Sequence, residues 1–562
     1  MKKLSNPTLH IIFLIGSVIL ALAFRIIRLG VLPLNDMEAE LALQAWYAAQ
    51  STAADFGPQI AYIGLTGITN FIFQTSNFLA RFWPAFSGAL IVFVPFLFRD
   101  RIGHWPATIM SVVLALSPEM VSLSRIIGSP MMAFVFLLLS LGFWFNEMPV
   151  LMGVTLAVAL MSGEGFWIGA LILGLSYMIS EIIFGFPVTS ELHEDQDQKA
   201  FWRDVLIAGA VTLFVVGTAF FMAPAGLTAV FSGLIAFGLG FIEPFQAPLY
   251  HLPVAILAYV LGALILGLWG GIRAFQQNSP LDKFLVVWFF VGFIFLLIYP
   301  AGGVADIVWV TIPLWLLSAR VVVFSWRWPK TSRIVVVLTA LMIVLVAAFM
   351  ALTLRSMVRP ILSQAQRVNH LIALGGGLVM VFAILVLVVY GWTGVIARTG
   401  LLAGVGIVIL MSLISVSVNS TGLGPHVPAT LWYPNQPLVT TRWLRIQMDR
   451  IIIWNASRSE PVEILVSDYR TPAMEWFLVN DSPVSFESFI PPQTQPGMLI
   501  TDRFEIPEIA HSYHGQDLTW SQRVLWENMT AFQYLNWLIT RESPTVDQLV
   551  ILWVRTDLMI DG

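Results

Sequence analysis

The feature that most constrains this chain is a succession of apolar runs, each long enough to cross a bilayer, from Leu9 to about Val418. A spanning helix needs about 20 apolar residues, because the hydrocarbon core is about 30 Å thick and a helix rises 1.5 Å per residue. About thirteen runs fit, at 9–27, 78–98, 105–124, 130–147, 149–162, 166–186, 204–223, 251–272, 283–300, 305–318, 334–354, 371–392 and 399–418. Two further stretches, 59–74 and 225–241, are shorter and broken by glycine, and are expected to stay on one side. Hydrophobic residues make up 58% of the chain and charged residues 11%, less than half the charge of a soluble domain. The slight negative net charge of −4 gives no sign of a nucleic-acid partner. Cysteine is absent, which removes disulfides and thiolate chemistry.

Basic residues favour cytoplasmic loops. With the N-terminus inside and thirteen spans, all five lysines fall on the cytoplasmic side. Letting 59–74 cross would move Arg99 and Arg101 outside. The expectation is therefore a multi-pass plasma-membrane protein with a cytoplasmic N-terminus and an extracytoplasmic tail. The tail, from about Asn419, has frequent charges and short apolar runs. Leu438–Trp454 reads as an amphipathic helix. Val462–Val466, Val484–Phe486 and Met498–Thr501 read as strands, with a helix near Ala473–Val479. That order predicts a small α/β layer domain. The domain expectation is a membrane domain over 1–418 and a soluble domain over 419–562.

Three carboxylates crowd into the first outer loop, at Asp36, Glu38 and Glu40. One reading is an ordinary helix start, with Asn35 or Asp36 as cap and acids in the first turn. The other is chemical. Asp36 and Glu40 share a helix face, and like charges held close can tune one carboxylate to act as a base or a metal ligand. Arg355, Arg359 and Arg367 lie outside, against the charge rule, as do Arg81 and Arg125 near the outer interface. Guanidinium groups match phosphate oxygens bidentately, so such a set fits a lipid phosphate. A solvated loop helix and snorkelling side chains are the plain alternatives. Glu164, between two glycines, and Asp306 are further outer acids. No metal-ligand spacing such as HExxH occurs; the cofactor stays open, and a divalent metal is not indicated.

The first span, the acidic loop, Glu38-Ala39 and the following Ala42-Leu43-Gln44-Ala45 together resemble the GT-C superfamily of membrane glycosyltransferases. More narrowly they resemble its protein mannosyltransferase and aminoarabinose transferase branch. Asn77-Phe78-Leu79-Ala80-Arg81-Phe82-Trp83-Pro84-Ala85-Phe86-Ser87-Gly88 is similar to that branch's entry to the next span. Ala115-Leu116-Ser117-Pro118, closing with Ser124-Arg125, and Thr311-Ile312-Pro313-Leu314-Trp315-Leu316-Leu317 follow in the expected order. The resemblance covers about 320 residues well and the tail poorly. It implies an all-α polytopic GT-C-like membrane domain. It also implies transfer of a sugar from a polyprenyl-phosphate carrier in the lipid bilayer to a hydroxyl acceptor on the extracytoplasmic face, with a first-loop carboxylate as base. Carried onto this chain, Asp36 is the base and Glu38 its orienting or metal-binding partner, while the charge topology puts Arg81, Arg125, Arg355 and Arg359 at the lipid phosphate. The chain departs from the family at two points. Met37 splits the usual Asp-Glu pair, and it takes the catalytic position if Glu38-Ala39 sets the alignment, which makes Glu38 the rival base. No acid follows Arg125 in Ile126-Ile127-Gly128-Ser129. Two further readings are a non-catalytic protein that binds lipid-linked sugars or aids envelope assembly, and a transporter. The near absence of mid-span charges and of repeated halves ranks transport last.

Overall fold

The computed structural model describes residues 7–52, 55–185, 195–326, 332–358, 363–423, 429–432, 435–437, 441–456, 462–481, 483–490, 494–502 and 512–559. Among these, nine helices are long and apolar enough to cross a membrane, and eleven if each of two bent pairs is one span. The chain is a multi-pass integral membrane protein.

Helix boundaries follow the local chemistry. Ser76 and Thr393 cap their helices through side-chain oxygens, and Pro118, Pro149 and Pro280 occupy first turns, where the missing N–H costs nothing. Gly185 and Asn278 end helices in the left-handed conformation.

Contacts with the tail divide the helix ends between two faces. The first helix, Pro7–Ile26, ends at the tail face, where Arg28 donates to the Leu423 carbonyl at 3.2 Å. Asn77, which opens Asn77–Leu97, accepts from Trp476 of the tail at 2.8 Å. Of the thirteen runs expected to cross, eleven coincide with these helices and bent pairs, and those at 130–147 and 149–162 coincide with the shorter apolar helices Met131–Phe145 and Pro149–Leu160. The run at 251–272 is broken in two: His251–Tyr259 meets Leu261–Gln277 at a bend of 95°. Arg541 of the tail donates to the Ala258 carbonyl at 2.7 Å, satisfying the helix end freed by that turn.

Both doubtful stretches stay on the tail face. Gln59 donates to the Gly128 carbonyl, and Thr75 donates to Asn480 of the tail at 2.9 Å, so Ile60–Ile72 begins and ends on one side. The second stretch starts against Gly217 and finishes against Tyr299 and Ala301 on the same side.

Helix Val304–Ser325 forms the centre and is buried over most of its length. In lipid, close packing replaces the hydrophobic drive between helices. Gly169 illustrates it: a Cβ there would stand 2.1 Å from the ring of Trp309, which is fully buried.

The tail folds as expected into an α/β layer. Its strands are β1 (Asn435–Pro437), β2 (Ile464–Ser467), β3 (Val484–Glu487), β4 (Met498–Asp502), β5 (Tyr513–Val524) and β6 (Thr545–Arg555), in the order β1-β5-β6-β4-β2-β3. β2 runs parallel to β3 and β4, and the other pairings are antiparallel. All four residues of β2 are buried, as a parallel strand covered on both faces requires. Helix Thr441–Ala456 packs Leu444 and Met448 onto Ile464, Val466 and Ile500. β5 and β6 escape the sequence reading, because β5 is polar along most of its length and β6 is apolar only in its second half.

The cysteine-free chain permits a direct test of sidedness. Single cysteines at Gln516, exposed on β5, and at Asp100, exposed in the first turn on the opposite face, should react with an impermeant maleimide from opposite sides of sealed vesicles. Labelling of both from one side refutes the fold.

Candidate functional site

The first outer loop ends in helix Asp36–Ala49, opened by a capping box: Asn35 accepts from the Glu38 N–H at 2.9 Å, and Glu38 accepts from the Asn35 N–H. The helix-start reading is therefore correct for Glu38. Its carboxylate is almost fully buried and engages Arg81 bidentately, at 2.9 Å from Nε and 2.6 Å from Nη2. The Ile127 N–H donates to it as well, at 3.2 Å. Arg81 spends its other donors on the carbonyls of Leu29, Leu32 and Pro33. One ion pair thus fixes the end of the first span, the first loop and the segment after the Ser117-Pro118 bend.

Arg125 is also turned inward. Its Nη1 donates to the carbonyls of Phe24, Arg25 and Ile27 at 2.9–3.0 Å, and its Nη2 to Arg28. It closes the C-terminal end of the first helix, where a cation meets orphan carbonyls and the negative end of the helix dipole. Arg81 and Arg125, expected at a lipid phosphate, are thus both committed to backbone carbonyls. Arg355 stands exposed near the tail-face end of Arg333–Met357, and Arg359 lies outside the described residues. Arg367 stacks on Phe532 of the tail, 4.7 Å from the ring centroid.

Asp36 differs from Glu38. Its side chain is exposed, and Oδ1 accepts from the Ala473 N–H at 3.1 Å, in the first turn of tail helix Pro472–Phe477. Tyr469 lies close by. Burial first, and then the charges of Asp36 and Asp502, push its phenol well above the usual range, so it keeps its proton. Met37 is 70% exposed and takes no part in the ion pair.

From Asp36 the rim of the site continues along the same helix. Glu40 is exposed one turn on, and Gln44 accepts from the Gly57 N–H at 2.8 Å. Leu41 touches Gly128, whose carbonyl binds Gln59. Gln59 packs beside Gly163, which holds a φ of +86° that disfavours any side chain, and Glu164 follows. Glu164, Asp306 and Glu243 gather around Tyr299; its phenol is raised first by burial and then by the charges of Glu164, Asp306 and Glu243. Sequence reading weighed Glu164 and Asp306 one at a time. Their meeting with Glu243 and Tyr299 joins four distant segments and has no local signal. Glu119 is fully buried at the Ser117-Pro118 bend, accepting from Ser117 and Trp315. Among the described residues no group of three His, Asp or Glu is arranged to hold a metal.

No family model matches this chain, and no curated protein matches it. Solved structures do. ArnT from Cupriavidus metallidurans bound to undecaprenyl phosphate aligns with a TM-score of 0.55 at 13% identity, over 98% of this chain and 99% of that one. The apo state of the same protein aligns with a TM-score of 0.51 at 14% identity, over the same shares. The chain therefore shares its overall fold with that protein, over the membrane helices and the tail alike.

The contrast between the two acids is testable by thermal melting in detergent. Glu38→Gln leaves Arg81 buried without its counter-charge and should cost about 3–5 kcal/mol, the usual penalty for breaking a buried pair. Asp36→Asn, which keeps an oxygen able to accept from Ala473, should melt close to wild type. Equal melting of Glu38→Gln and wild type removes the structural role.

Proposed function

We propose that this chain is a membrane glycosyltransferase that moves a sugar from a polyprenyl-phosphate carrier to a hydroxyl acceptor at the tail face. The observation that carries the reading is Asp36, an exposed carboxylate on a loop fixed by a buried ion pair. Its support is a fold shared end to end with a protein solved with undecaprenyl phosphate bound.

In this reading Asp36 is the general base. One oxygen is steadied by the Ala473 N–H, and the other takes the proton of the acceptor hydroxyl. The acceptor oxygen then bonds to the anomeric carbon from the side opposite the carrier. The bond from that carbon to the phosphate oxygen breaks, and the polyprenyl phosphate leaves with the electron pair. Glu38 does not touch substrate; it and Arg81 hold the loop that aims Asp36. The phosphate is assigned to Arg355 and Arg359, since Arg81 and Arg125 have their donors on carbonyls.

A second reading draws on the same hydrogen bond. Asp36 docks the tail, which favours a non-catalytic protein that binds lipid-linked sugars or serves envelope assembly. Sugar release from a panel of polyprenyl-phosphate sugars by the purified protein separates the two. Asp36→Asn should lower release by roughly 10²–10⁴-fold with the fold intact. Release at the wild-type rate sinks the assignment of the base, and binding of every carrier without release by the wild type supports the second reading. Arg355→Ala should weaken carrier binding by about 10- to 150-fold if it makes a charge-assisted phosphate contact; unchanged affinity removes Arg355 from the site.

A further inference from the structure

The tail brings a second set of groups to Asp36. β2 runs parallel to both β3 and β4, so the carboxyl ends of three strands lie on one side of the sheet. Ser467 pairs with Glu487, and the register of Val466 with Ile500 sets the end of β2 beside Asp502. Neighbouring strands stand about 4.8 Å apart. The Asp468 N–H donates to the Glu487 carbonyl at 3.0 Å, and Asp468 holds a φ of +47°, which turns the chain off the strand end. Tyr469 follows directly, and Ala473, whose N–H holds Asp36, comes soon after. In open α/β sheets, ligands bind outside the carboxyl ends of parallel strands. Asp36 meets the tail at that place.

Tyr469 is the group there that the fold leaves unused. It is 8% exposed, and its ring stands edge to face with Trp520 at 6.3 Å between centroids. Its hydroxyl has no hydrogen-bond partner among the described residues, yet the oxygen is not sealed from solvent. The charges of Asp36 and Asp502 both act on the phenol, which puts the hydroxyl near both carboxylates. It keeps its proton and is ready to donate. Asp36 and Asp468 are exposed, and Asp502 is half-buried. Arg470, the cation next to Tyr469, is paired with Glu475.

The chemistry of these groups sorts the ligands that could sit beside Asp36. An anionic group such as a phosphate meets carboxylates and is repelled. An ammonium suits the carboxylates but has no lone pair for the tyrosine hydroxyl. A lone hydroxyl, as on a serine side chain, engages Asp36 and leaves Tyr469 unmet. A neutral polyol satisfies both, since its hydroxyls donate to carboxylates and its oxygens accept from a phenol. We propose, on the footing that Asp36 is the base, that the strand end is the acceptor subsite and takes a neutral saccharide. Asp36 meets the hydroxyl to be glycosylated, and Tyr469 donates to a neighbouring oxygen of the same sugar ring. Tyr469 is then a specificity-determining residue, and the tail chooses the acceptor while the first loop supplies the base.

Saturation-transfer NMR on the full chain in lipid nanodiscs, free of glycoside detergent, tests this by binding alone. The probes are the neutral disaccharides maltose, mannobiose and galactobiose, with glucose 1-phosphate and N-acetylserinamide as the anionic and single-hydroxyl controls. At least one disaccharide should bind, and more tightly than either control. Tyr469→Phe should weaken that sugar roughly 3- to 10-fold, the worth of one hydrogen bond between neutral groups. The variant should melt at the wild-type temperature, because the hydroxyl it loses has no partner among the described residues. Monodeoxy analogues of the bound sugar supply a second measurement, made on the wild type, that holds if Tyr469→Phe misfolds. One analogue should bind the wild type about 3- to 10-fold less tightly than the parent sugar, and a folded Tyr469→Phe should not tell the two apart. Failure of every disaccharide to bind, tighter binding of glucose 1-phosphate, or equal affinity in Tyr469→Phe and wild type overturns the proposal. No carrier is present, so the outcome is separate from that of sugar release. Release without saccharide binding keeps the base and removes the subsite; binding through Tyr469 without release keeps the subsite and removes the transfer.

Discussion

The buried pair between Arg81 and Glu38 is the contact on which the tail face depends. It joins a helix capping box, three carbonyls of the first loop and the N–H of Ile127 into one rigid unit. Neither charge is stable alone at that burial, so each stays only while the other is in place. The consequence is functional. With Glu38 fixed, Asp36 two residues earlier is set outward at a defined position, against the tail helix that begins at Pro472.

Arginine plays a wider part in this fold than charge topology suggests. Arg25, fully buried, donates to Leu114 and Ala115 at the end of the helix before the Ser117-Pro118 bend. Arg125 closes the end of the first helix, Arg541 closes the bend at Val260, and Arg320 reaches the Ile102 carbonyl while pairing with Asp282. Each stands where a helix ends or turns and water is scarce. There an unpaired carbonyl is expensive, and five rigid N–H donors satisfy several at once. This accounts for part of the outer arginine excess without a lipid headgroup. It leaves Arg355, exposed and uncommitted to carbonyls, as the described cation best suited to one.

The tail is built into the membrane domain rather than hung from it. Trp526 and Trp537 share a core with helices His251–Tyr259 and Leu261–Gln277, and Met474 and Trp476 share another with the first-loop helix. Asp36 therefore lies on a surface made by both parts of the chain.

The sequence by itself marked the apolar runs that become the membrane helices and gave the tail its α/β character. These follow from apolar run length, charge sidedness and residue period, all of which are local. It also located the acidic loop. It could not tell Asp36 from Glu38, because the difference lies in Arg81, 43 positions further along Glu38's hydrogen bond. Nor could it turn Arg125 inward, bend the chain by 95° between His251–Tyr259 and Leu261–Gln277, or bring Glu164, Glu243 and Asp306 to one tyrosine. Those outcomes were decided by the tertiary structure, since the partner that satisfies a buried charge or carbonyl is set by which distant segments pack together.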